Sequence, residues 1–138
     1  MDNNRLPTKP SKPLNSFSLA HYPAGSLQEV LRTPSLKACI HEHGHDPVSV
    51  QVLALLTQAD VALGGGSSKD GIALLTRLLM EDFYGVPVGL IIKGVRDGIR
   101  KATVGHKLTY PLLCSWIEEV RDQVEQHNYN EHMRLTKG

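Results

Sequence analysis

The segment Cys39-Ile40-His41-Glu42-His43-Gly44-His45-Asp46 concentrates metal-ligand side chains in eight residues. Thiolate, imidazole and carboxylate groups bind zinc when they converge tetrahedrally. On a helix the partners that share a face lie three or four residues apart, as do Cys39/Glu42, Cys39/His43 and His41/His45. Gly44 is placed to end such a helix before His45, which separates the last pair. The order is also not His-Glu-x-x-His, the zinc-hydrolase spacing. The plainer reading is a polar helix end at which imidazoles face the carbonyl dipole. No metal and no other cofactor is expected, and Cys39, His41, His43 and His45 stand only as a subsidiary ligand set.

A second group of residues points to binding. Lys93, Arg96 and Arg100 fall at i, i+3 and i+7 of a helix read over 87–101, and Lys101, His106 and Lys107 carry positive charge into the loop beyond it. Leu90, Ile91, Val95 and Ile99 form the opposite, apolar side. Gly94 and Gly98 permit close backbone approach to a neighbour, although each costs a helix about 1 kcal/mol. Lysines and arginines so placed can neutralise phosphates and make affinity strongly salt-dependent. They can equally be a solvated face, and Asp97 interrupts them. No aromatic residues interleave to stack bases.

Catalysis finds little support. Cys114 sits between Leu113 and Trp116 on a helix, and no Ser or Cys occupies a strand–turn–helix elbow. The adjacent pairs Glu81/Asp82 and Glu118/Glu119 point in different directions on a helix, unlike a working acid and base. The Gly64–Lys69 stretch lacks the Gly-Lys-Ser/Thr of a phosphate-binding loop. The expectation is a protein that is not an enzyme.

The elements that carry these residues read as helices. With 138 residues, 41% apolar but only 5% aromatic, the chain suits one domain with an aliphatic core. Its 15 basic and 14 acidic residues exclude the global positive field of a DNA-coating protein. Two distant cysteines, Cys39 and Cys114, make no disulfide framework and read as reduced thiols in apolar settings. No secretory leader and no membrane-spanning apolar run is present, so the expected location is cytoplasmic.

Residues 1–25, with Pro7, Pro10, Pro13 and Pro23, are read as an extended flexible arm from which Leu14, Phe17, Leu19 and Tyr22 could dock as an apolar strap. Residues 26–138 are read as a single all-α domain of five or six helices. Ser26 caps 27–32, with Glu29 at the capping-box position. Thr33-Pro34 reads as N-cap and first residue of the next helix. Asp46-Pro47 opens 48–63, in which Val50, Leu53, Ala54, Thr57 and Val61 recur at helical spacing. Gly64-Gly65-Gly66 ends that helix. Ser68 or Asp70 opens the next, with Ile72, Leu75, Leu79 and Phe83 on one face and Gly85 as its C′ residue. Thr109 caps the last, whose Leu112, Leu113, Trp116, Ile117, Val120 and Val124 are core. The polar stretch 126–134 is expected to project beyond that core.

The pattern Leu90-Ile91-Ile92-Lys93…Arg96-Asp97-Gly98, followed by Trp116-Ile117-Glu118-Glu119-Val120-Arg121, resembles a family of short uncharacterised helical proteins from bacterial phages and mobile elements. The resemblance covers the C-terminal half, about residues 72–133. The family often carries Tyr-Gly where this chain has Ile99-Arg100, and an arginine-rich last helix where it has Gln126-His127-Asn128-Tyr129. What the resemblance implies is replication or nucleic-acid housekeeping. The leading expectation is therefore an accessory protein that binds nucleic acid or a nucleoprotein complex through Lys93, Arg96, Arg100, Lys101 and Lys107. The alternative is a protein-interaction or self-association module, because a small helical core with uncovered Leu/Ile faces needs a partner.

Overall fold

The computed structural model describes residues 18–19, 26–102, 105 and 107–137. Six helices follow one another: α1 (Leu27–Leu31), α2 (Leu36–His43), α3 (His45–Ala62), α4 (Lys69–Asp82), α5 (Val88–Lys101) and α6 (Tyr110–Lys137). The fold is all-α, and no strand forms among the described residues. The flexible arm expected over residues 1–25 lies outside the described residues except at Ser18 and Leu19. Leu19 is buried in the core, and its N–H donates to Gln51 Oε1 on α3 at 3.3 Å.

The helix starts follow from side-chain caps. Ser26 and Glu29 form the reciprocal capping box of α1. Ser68 accepts the N–H of Gly71 at the start of α4, and Thr109 accepts that of Leu112 at the start of α6. The start of α2 differs from expectation, because Ser35 is its N-cap, not Thr33. Thr33 is buried, with its hydroxyl donating to the Val30 carbonyl at 2.6 Å and accepting the Gly89 N–H at 2.9 Å. Residues 33–37 also run beside 84–88, joined by Leu36 N–H to Val86 O, Lys37 N–H to Tyr84 O and Val88 N–H to Pro34 O. The pre-proline restriction on Thr33 favours this extended path over a helical one.

Two further boundaries move. α3 begins at His45 instead of Val48, with Gly44 (φ +94°) both ending α2 and leading into α3. Pro47 is the third residue of α3, where no intrahelical N–H is needed. α4 stops at Asp82, and Gly85 is not a left-handed C′ residue. A tight Val86 N–H to Phe83 O turn replaces that cap and directs Phe83 into the core.

α5 is the central element, packing on α6, α1 and α3. Its Val88, Leu90, Ile91, Ile92 and Val95 are buried, as are Leu113, Trp116, Ile117 and Val120 of α6, on which it packs. Burial of each such side chain contributes about 1.5–3 kcal/mol. The α5–α6 contact is close because Gly94 and Gly98 lie on it. A Cβ on Gly94 would come within 2.9 Å of the Ile117 Cα, and one on Gly98 would overlap the Trp116 indole.

α3 is turned differently from the pattern read in its sequence. Val48, Val52, Leu55, Leu56 and Ala59 are buried, whereas Val50, Leu53 and Val61 of the expected series face outward at 58%, 36% and 67% exposure. Ala54 and Thr57 are exposed with them. The helix is apolar on nearly every side, so three- and four-residue spacing fits more than one face. Contact with α2, α4 and α5 selects which one is buried.

Candidate functional site

α5 presents its cations at the helix surface, and most of them meet carboxylates there. Lys93 Nζ lies 3.1 Å from Asp97 Oδ2, and Arg100 lies 3.4 Å from the other oxygen of the same carboxylate. Lys101 Nζ is 2.6 Å from Glu119 Oε1 on α6. Arg96 and Lys107 are exposed and make no ion pair among the described residues. His106 lies outside the described residues. Of the five residues expected to neutralise phosphates, three are thus occupied with acids of this chain. The Lys93–Asp97 pair is half-buried, whereas the more exposed Arg100 and Lys101 pairs contribute only about 0–1 kcal/mol of stability each; all three lower the positive potential that a phosphate would meet.

The histidine segment is divided by Gly44. Cys39 is buried in the core, while His41 is exposed on the same helix. His43 is half-buried with Glu42 3.7 Å away, and His45, the first residue of α3, stands 3.5 Å from Asp46. Among the described residues no group of three or more His, Cys, Asp or Glu side chains is arranged to hold a metal ion. Neither cysteine forms a disulfide.

A groove between α3 and α4, lined also by Ile40 of α2, is a largely apolar hollow of the surface. Its floor is Ile40, Val50, Leu53, Ala73, Met80 and Tyr84, and its volume is about 620 Å³. His45, Ser49, Arg77 and Glu81 stand along its rim. Thr76 also lines it, but its hydroxyl donates to the Ile72 carbonyl at 2.9 Å. A second hollow of about 660 Å³, lined by Ser35, Lys37, Ala38 and His41, shares Ile40 and Tyr84 with the first. The two adjoin at those residues. Lys37, Arg77 and Glu81 are exposed and make no ion pair among the described residues.

Sequence reasoning did not identify this groove as a site. The available signal was the second apolar stripe of α3, together with Tyr84 on the loop after α4. The volume lies within the roughly 300–1,000 Å³ range of ligand sites, and few polar groups line it.

The far end of the hairpin is fastened by Tyr110, whose hydroxyl donates to Asp82 Oδ2 at 2.6 Å, with the Leu78 carbonyl at 3.2 Å. Burial, reinforced by that hydrogen bond, holds the Tyr110 phenol well above its ordinary range. Arg121 stands over the Phe83 ring, 5.7 Å from its centre, and further ties α6 to the end of α4. Beyond Val124 no residue of α6 is buried among those described. There Glu131 and Arg134 pair at 2.6 Å, lowering the carboxyl and raising the guanidinium from their usual values.

No helix among the described residues is long and apolar enough to cross a membrane. Comparison with protein-family models, with curated proteins and with solved structures finds no match to any of them, so nothing there bears on the resemblance to phage and mobile-element proteins.

Proposed function

We propose that this chain is a non-enzymatic protein-interaction module and that the α3–α4 groove is its docking surface. The observation that carries this reading is the uncovered apolar floor, with Val50 58% exposed beside Leu53 and Tyr84. A contiguous apolar hollow with a polar rim has the character of an interaction site. The test places a photo-crosslinking residue at Leu53 in one version of the chain and at Arg96 in another, within the native host. A discrete protein adduct at Leu53, lost on Val50→Asp, is expected. Adducts formed only at Arg96 and removed by nuclease would overturn the reading.

Nucleic-acid contact is the second reading, favoured by Arg96 and Lys107, which are exposed and unpaired among the described residues. It agrees with the resemblance of the C-terminal half and with the leading expectation from sequence. Two open cations give a shallow salt dependence, a log–log slope near about −2 for duplex DNA. Duplex and single-strand binding across a salt series tests it, and binding unchanged by Arg96→Glu with Lys107→Glu would remove it.

A further inference from the structure

We draw no further inference here: the strongest candidate, an occupant for the apolar groove between α3 and α4, has only the balanced charges of Arg77 and Glu81 to select it, and nothing in the structure shows what covers that face.

Discussion

The α5–α6 contact and the α3–α4 groove are built from the same kinds of aliphatic residue, yet one is closed and the other open. At α5–α6 two glycines remove the side chains that would hold the helices apart, and Trp116 lies directly on Gly98. At α3–α4 no such device operates on the outer side, and Val50, Leu53 and Tyr84 are left exposed around a hollow of about 620 Å³. Charge follows the same division. The cations of α5 are largely matched by acids of this chain, while Lys37 and Arg77 beside the groove are open. The difference separates a region closed by its own packing from one whose apolar side chains remain open.

The closed region should be the more easily broken. Gly98→Ala places a methyl group inside the indole position, and overpacking of this kind costs about 1–3 kcal/mol. Alanine is the better helix former by about 1 kcal/mol, so a fall in thermal midpoint despite that gain identifies the close approach as the cause. No loss of stability would mean that Trp116 can move aside freely.

A smaller effect is expected at Tyr110, which fastens α6 to the end of the α3–α4 hairpin. Tyr110→Phe removes the hydrogen bond to Asp82 and should cost about 1–2 kcal/mol in urea unfolding. The pH dependence has a definite sign. Because the folded-state phenol is raised, its contribution is fully present below the unfolded value near pH 10 and is lost as pH rises above it. Wild type should therefore lose more stability than Tyr110→Phe between pH 9 and 11. Parallel losses in the two proteins would show that the phenol is not the linked group.

Asp97→Asn probes the paired cations at still lower cost. Loss of the half-buried Lys93 pair and the more exposed Arg100 pair should change stability by about 1 kcal/mol while leaving Lys93 and Arg100 uncompensated. If the pairing limits contact with phosphates, DNA binding by this variant should rise at low salt. Unaltered binding would show that Asp97 does not set the charge of the stripe. Least affected of all should be the stability of Leu53→Asp, within about 0.5 kcal/mol of wild type, because Leu53 is already 36% exposed. A large loss there would show that the groove is part of the core.

The helices were legible because local chemistry specifies them. Ser26 with Glu29, Ser68, Gly44 and Thr109 mark boundaries through hydrogen bonds or backbone geometry that span at most four residues. The Gly94/Gly98 approach was legible too, since two glycines on the apolar side of one helix have few other uses. Thr33 was misread because its hydroxyl bonds to Gly89, 56 residues away, and no local pattern contains that partner. The outward face of α3 was hidden for a related reason: an all-round apolar helix has no unique buried side until its neighbours are placed. The basic stripe could be seen as charge, but the acids that meet it on α6 could not, since Lys101 and Glu119 are joined only by tertiary packing.

The proposal that the groove, not the α5 stripe, is the working surface is tested most directly by methyl-resolved NMR of the full chain titrated with an amphipathic helical peptide. The account predicts that the methyl signals of Val50, Leu53 and Met80 shift in a saturable way, while those of Val95 and Ile99 remain in place. Shifts confined to Val95 and Ile99, or no shift at Val50 and Leu53 at saturating peptide, would contradict it.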